Sequence, residues 1–255
     1  MPTDEVSASS LTKIYGKKNR RSVALDRVDF RAERGGITGI LGLNGAGKST
    51  LLKALAGAHY ATSGAINVCG SSLPVEFRRL VGFVPESPFL DPRLTVSEIL
   101  MRGAMVHGLS AASCGRAVRS AARTCGIEDV LLSRAGSLSK GYAQRVSLAL
   151  ALSWSPRVLI LDEFSGGLDP AQQAVLKAEL RKLSSSMTII LSTHHMAEAE
   201  ELCSRIYILS GGRVRAEGSA EELISLCGAS DLEDAFLRLT GNDVREETGN
   251  ERPIP

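Results

Sequence analysis

Gly42-Leu43-Asn44-Gly45-Ala46-Gly47-Lys48-Ser49-Thr50 decides the reading of this 255-residue chain, because it fits G-x-x-x-x-G-K-[ST] without a mismatch. The apolar run Ile37-Thr38-Gly39-Ile40-Leu41 precedes it, and Ser49 to Ala56 reads as helix. A strand, a glycine-rich loop and a helix in that order form the context that a phosphate-binding loop requires. Glycines let successive backbone N–H groups turn inward around phosphate oxygens. The helix start adds unpaired donors and the positive end of its dipole. Lys48 then places a point charge near the terminal phosphates, and the Ser49 hydroxyl takes one position on Mg²⁺. The stretch predicts a nucleoside-triphosphate site.

Working outward, Val6 to Tyr15 and Val23 to Ala32 read as strands. In the second, Val28, Phe30 and Ala32 alternate with Asp29, Arg31 and Glu33, the mark of an antiparallel strand buried on one face. Val158–Leu161, Thr188–Leu191 and Ile206–Leu209 are continuous apolar runs separated by helical stretches, which predicts a largely parallel sheet covered on both sides. Ile66–Val68 and Leu80–Val84 are shorter strand candidates. From Thr95 to Gly126 nothing reads as strand. Thr95-Val96-Ser97-Glu98 is a capping box, and Gly126 stands where a helix end wants it. A helical subdomain at about 87–150, inserted into the α/β core of a single domain over 1–240, is the expectation. Gly103 and Gly115 weaken its helices on propensity alone. A hairpin around Gly211-Gly212 and helices near Ala220–Leu226 and Leu232–Leu239 follow. The tail 241–255 is charged and poor in apolar residues, so it is expected to stay disordered.

Val158-Leu159-Ile160-Leu161-Asp162-Glu163 supplies the second half of the site. A buried strand delivers two acids at its C-terminal end, where open α/β sheets bind ligands. Asp162 is placed to hold Mg²⁺ through its waters, and Glu163 to orient or deprotonate the water that attacks the γ-phosphate.

Composition bounds the rest. A net charge of +2 and an aromatic share of 4% give no sign of a nucleic-acid surface. Lys17, Lys18, Arg20 and Arg21 read as a solvated turn. The five cysteines are scattered without a C-x-x-C pair, which suggests reduced thiols and no zinc site. The polar start lacks a secretory signal, and no apolar run approaches the ~20 residues that cross a bilayer.

With both halves of the site in place, the chain resembles the nucleotide-binding subunits of ATP-binding-cassette (ABC) transporters over about Leu11 to Leu239. Leu138-Ser139-Lys140-Gly141-Tyr142 is similar to the family signature L-S-G-G-Q. Gly167-Leu168-Asp169-Pro170 resembles its D-loop and Ser192-Thr193-His194 its switch histidine. Tyr15 stands where the family has an adenine-stacking aromatic, and Val84-Pro85-Glu86 where it has the Q-loop. Alone, Tyr15 reads as a packed strand residue, Ser139 as a helix cap and His194 as a helix start. Only the ordered set changes that.

The resemblance implies the ABC ATPase fold, a P-loop core with a mostly parallel sheet, an antiparallel β subdomain and an inserted helical subdomain. It implies ATP and Mg²⁺ as ligands, the metal falling to Ser49, Asp162 and Glu86. Catalysis falls to Glu163, His194 and Lys48. Nucleotide binding falls to Tyr15, the loop Gly42, Leu43, Asn44, Gly45, Ala46, Gly47, Lys48, Ser49 and Thr50, and to Ser139, Gly141, Tyr142 and Asp169, which in the family reach across a dimer. The implied partners are a second such subunit, in a homodimer or heterodimer, and a transmembrane permease that holds the chain on the cytoplasmic face of the membrane. Phe89, Leu90 and Leu94 are the candidate dock for the permease. Lys140 in place of glycine, and the ending Leu232-Glu233-Asp234-Ala235-Phe236, resemble export-type subunits. Glu86 replaces the Q-loop glutamine, and Phe164 is a change expected to affect packing alone. The rival readings are a soluble cassette acting on nucleic acid or the ribosome, and a phosphate-loop kinase or GTPase.

Overall fold

The parallel sheet is built from short strands that are apolar on both faces. The computed structural model describes residues 4–16 and 21–241, so Lys17, Lys18 and Arg20 and the tail from 242 lie outside the described residues. The chain runs β1 (Asp4–Tyr15), β2 (Ser22–Glu33), β3 (Ile37–Leu41), α1 (Lys48–Leu55), β4 (Ser63–Val68), α2 (Pro74–Phe77) and β5 (Val81–Val84). Then come α3 (Val96–Val106), α4 (Ala111–Thr124), α5 (Lys140–Leu152), β6 (Val158–Asp162), α6 (Pro170–Leu183), β7 (Thr188–Thr193) and α7 (Met196–Leu202). It closes with β8 (Arg205–Ser210), β9 (Arg213–Gly218), α8 (Ala220–Cys227) and α9 (Leu232–Thr240).

Six strands make one sheet in the order β5-β6-β7-β3-β8-β9. All its pairings are parallel except the edge pair β8–β9. Every residue of β3, β6 and β7 is buried, as two covered faces demand. Along β6, Val158 and Ile160 enter the cluster shared with α1 and the second sheet, while Leu159 and Leu161 enter the cluster shared with the helices. The second sheet is antiparallel, in the order β2-β1-β4, and β2 buries Leu25, Val28, Phe30 and Ala32 while exposing the residues between the last three. Helix α1 lies between the two sheets with Leu51, Leu52 and Leu55 fully buried. Each such leucine contributes about 1.5–3 kcal/mol. The burial fixes where the helix starts.

The helical segment between β5 and β6 opens as expected. Thr95 N–H donates to Glu98 Oε2 at 2.8 Å and Glu98 N–H to Thr95 Oγ1 at 3.2 Å. Gly126, at φ 60, follows the end of α4. Gly103 has a reason that propensity does not show: a Cβ there would stand 2.3 Å from Leu150 Cδ1, so α3 and α5 cross too closely for a side chain. Phe164 is buried in the cluster that these helices share, in keeping with a packing role. The β8–β9 hairpin turns on Gly211 and Gly212, both at positive φ. Among the described residues no helix is long and apolar enough to cross a membrane.

Candidate functional site

Strand order puts the chemistry in one place. β6, β7 and β3 are consecutive neighbours, and Leu41 pairs with Thr193 as Asp162 pairs with Ser192. Three chain exits therefore open at the same C-terminal end of the sheet: the loop Gly42–Gly47, the acids Asp162-Glu163, and Thr193-His194. The loop curls back so that α1 begins over that end of the sheet. A Cβ on Gly47 (φ 106) would meet Ala24 O at 2.5 Å, and one on Gly42 would meet Leu209 O at 2.6 Å, so the backbone needs glycine at both. With Gly47 as its N-cap, α1 has no side-chain cap and no acid in its first turn. Its first N–H groups form an anion-receiving end.

Lys48 is 5% exposed. Its Nζ donates to Gly42 O at 2.8 Å and Leu43 O at 3.2 Å, and lies 3.1 Å from Glu163 Oε1. That last contact is an ion pair without a directed hydrogen bond. The loop carbonyls thus aim the ammonium at the cleft.

Asp162 is 2% exposed, and its Oδ1 accepts from Ser49 Oγ at 3.1 Å and Ser192 Oγ at 2.6 Å. Glu163 follows at φ 48, in the left-handed region, and its carboxylate meets partners other than those of Asp162. Ser192 stabilises the turn, since Glu163 N–H donates to Ser192 O at 3.2 Å and Ser192 Oγ at 3.1 Å. Glu163 Oε2 lies 2.7 Å from His194 Nδ1, so one carboxylate bridges Lys48 and His194. A cleft of about 350 Å³ opens over these groups, with Asn44, Gly45, Thr50 and Glu86 also on its walls. Ser192, quoted above only as the start of the switch-histidine stretch, is the group whose role sequence reasoning missed, since the acid it bonds lies on another strand.

The other sequence candidates stand elsewhere. Ala46 is buried at the back of the loop and accepts from Gly212 N–H at 3.1 Å through its carbonyl. Tyr15 ends β1, outside the cleft lining, with its ring edge-on to His59 at 6.3 Å. Glu86 reaches the cleft but has no hydrogen bond or ion pair among the described residues. Ser139 caps α5, accepting from Tyr142 N–H at 3.3 Å. The Tyr142 hydroxyl donates to Asp129 Oδ2 at 2.7 Å, which pushes the phenol pKa up. Asp169 caps α6 through Gln172 N–H at 2.8 Å. Ser139, Gly141, Tyr142 and Asp169 are all absent from the cleft lining, so one chain does not bring them to Lys48.

One nucleotide cleft with a second, outward-facing capped helix fits a known arrangement. The pattern of the ABC transporter family matches residues 25–166. This chain belongs to that family. It is similar to the Nod factor export ATP-binding protein I of Paraburkholderia xenovorans, with 38% identity over 247 residues, 95% of this chain and 79% of that one. A solved ATP-binding subunit of an ABC transporter superposes with a TM-score of 0.83 at 33% identity, covering 93% of this chain and 99% of that one. A dimeric cassette solved in a post-hydrolysis state with ADP and Pi gives a TM-score of 0.78 at 25% identity, covering 84% and 98%. The ABC subunit binds ATP and hydrolyses it to energise a separate transmembrane permease. Both rival readings fall with this assignment.

Proposed function

We propose that two copies of this subunit enclose two ATP molecules and drive an export permease, with Glu163 as general base in each cleft. The observation that carries the reading is the Glu163 carboxylate held between Lys48 and His194 at the mouth of the anion-receiving loop. ATP enters with its phosphates against the loop N–H groups and Lys48. The γ-phosphate competes with Glu163 for the lysine, so arrival of substrate frees the base. Glu163 then takes the proton of the attacking water, with His194 Nδ1 holding its Oε2. Tyr15 is the proposed adenine contact, at the rim where β1 ends.

The donor set fits Mg²⁺: Ser49 Oγ and the buried Asp162 already share a hydrogen bond, and Glu86 stands on the same cleft. The ion supplies charge neutralisation on the phosphates when bound. In the closed pair, Ser139 and the N–H groups at the start of α5 receive the partner copy's γ-phosphate, with Gly141 and Tyr142 beside them. Asp169 lies along the same face. Closure follows because bound triphosphate has donors on both sides only in the closed state, and hydrolysis removes that preference.

Export as the direction rests on the relatives' names and on the Lys140-type signature. The permease dock is proposed around Phe89, which is 95% exposed, with the half-buried Leu90 and Leu94 beside it. Association with the permease places the subunit at the cytoplasmic face of the membrane. The test is reconstitution in vesicles with any multi-span membrane protein found to be encoded beside it. Hydrolysis should rise on pairing, and Phe89→Asp should uncouple the two. If no membrane protein pairs with the subunit, or if Phe89→Asp changes nothing, the docking assignment is wrong.

A further inference from the structure

Within one chain the start of α5 packs on the turn after Glu163 and on the first turn of α6. A Cβ on Gly167 would stand 2.6 Å from both Cδ and Cε of Lys140 and 2.9 Å from its Nζ. A Cβ on Gly141 would stand 2.7 Å from Gln172 Oε1 and 3.4 Å from Leu168 Cδ2. The outer half of the Lys140 side chain therefore lies across Gly167, which adopts φ 82 beneath it.

From Gly167 a bonded path leads back to the base. Gly166 N–H donates to Glu163 O at 3.2 Å and Leu168 N–H to Ser165 O at 3.3 Å. Gln173 Nε2 clamps the turn from α6, donating to Ser165 O at 3.3 Å and Leu168 O at 3.2 Å. The residues on either side of Gly167 are thereby tied to the Glu163 peptide and to α6.

The lysine itself is otherwise unexplained. A cation at the first position of a helix opposes the positive dipole end. Among the described residues its ammonium has no hydrogen bond and no ion pair. What the side chain does touch is Gly167.

We propose that Lys140 is a positioning residue that makes hydrolysis in one cleft depend on nucleotide in the other. This rests on the dimer reading above. As the start of α5 is drawn onto the partner copy's γ-phosphate, the stem of Lys140 carries Gly167 with it and sets Glu163 in its own cleft. The residue acts through the turn and touches no nucleotide in its own chain.

The experiment is ATP hydrolysis by the full chain against ATP concentration, with nucleotide affinity measured separately on dilute, monomeric subunit. The wild type should give a Hill coefficient of about 1.5–2, two coupled sites setting the ceiling. Lys140→Gly, which restores the residue of the L-S-G-G-Q pattern, should bring it to about 1 and lower kcat several-fold, with monomer affinity unchanged. Lys140→Met keeps the stem without the charge and should retain most of the cooperativity. Three results overturn the proposal: a wild-type coefficient of 1, a Lys140→Gly variant that keeps the wild-type curve, or Lys140→Met failing like glycine while Lys140→Arg behaves as wild type. The last would mean that the charge acts on the partner's phosphate directly. Failure of the dimer reading itself shows separately, as absence of ATP-dependent dimers on gel filtration. Because Lys140 is exposed, matched thermal melts confirm that the variants are folded.

Discussion

Lys48 Nζ and Glu163 Oε1 stand 3.1 Å apart, so the proposed phosphate-binding cation and the proposed general base hold each other. The pair is buried enough to matter, with side-chain exposures of 5% and 14%. Lys48→Ala removes the charge that meets the phosphates and also frees Glu163 from its restraint. The first effect dominates, because among the described residues no other lysine lines the cleft. ATP turnover should fall by about 10²–10³ or more, the scale set by loss of one fixed electrostatic donor. Phosphate release at saturating ATP is the measurement, and a variant that keeps most of its turnover would remove the phosphate-loop argument.

Glu163→Gln keeps the shape of the side chain and its approach to His194 while ending its ability to take a proton. It also removes the charge competing for Lys48. Binding should therefore hold or tighten slightly, while hydrolysis drops by about 10²–10⁴, the usual contribution of a positioned base. The trapped triphosphate should shift the protein to a dimer on gel filtration. A variant that stays monomeric at saturating ATP sinks the paired-site model.

Much of this site was legible because its parts are local. The loop 42–50 carries its chemistry in consecutive residues, and Asp162-Glu163 follow a run whose burial is plain from composition. What the sequence could not supply was adjacency between distant strands. The order β6-β7-β3 places Ser192 under both acids, yet nothing near Ser192 announces that neighbour. The Lys140 stem over Gly167 is hidden for the same reason. Gly103 shows only its helix propensity in the sequence, while its cause, Leu150, lies on another helix.

Burial, with a nearby acid in each case, pushes the thiols of Cys125 and Cys203 up to about 12 from an ordinary value of 9.0. In the folded chain these groups hold their protons more tightly than in the unfolded one. Between about pH 9 and 12 the unfolded state binds fewer protons, so stability must fall as pH rises through that window. Below pH 9 the two states bind equally and the contribution is complete. Urea melts at pH 8 and pH 10 should show the loss, and the slope should be shallower in Cys125→Ala and Cys203→Ala. If removing either thiol leaves the alkaline slope unchanged, burial is not controlling its ionisation.

Two glycines separate propensity from packing. On propensity alone alanine is the better residue at Gly103, by roughly 1 kcal/mol in a helix, and at Gly82 in a strand it supplies a side chain to pack. The structure reverses both signs, to different degrees. At Gly103 the obstacle is Leu150 Cδ1 at 2.3 Å, the end of a side chain that can turn aside. At Gly82 the obstacle is Ala151 O at 2.7 Å, with Pro156 Cγ at 3.1 Å behind it, and a helix carbonyl does not move without its helix. Gly82→Ala should therefore cost about 1–3 kcal/mol, the usual range for overpacking, and lower Tm by roughly 2–4 °C per kcal/mol. Gly103→Ala should cost less and be relieved by adding Leu150→Ala, whereas changing the Ala151 side chain should not rescue Gly82→Ala. Thermal melts of the four variants decide it. A Gly82→Ala protein at least as stable as wild type would mean that β5 and α5 lie farther apart than their contact requires.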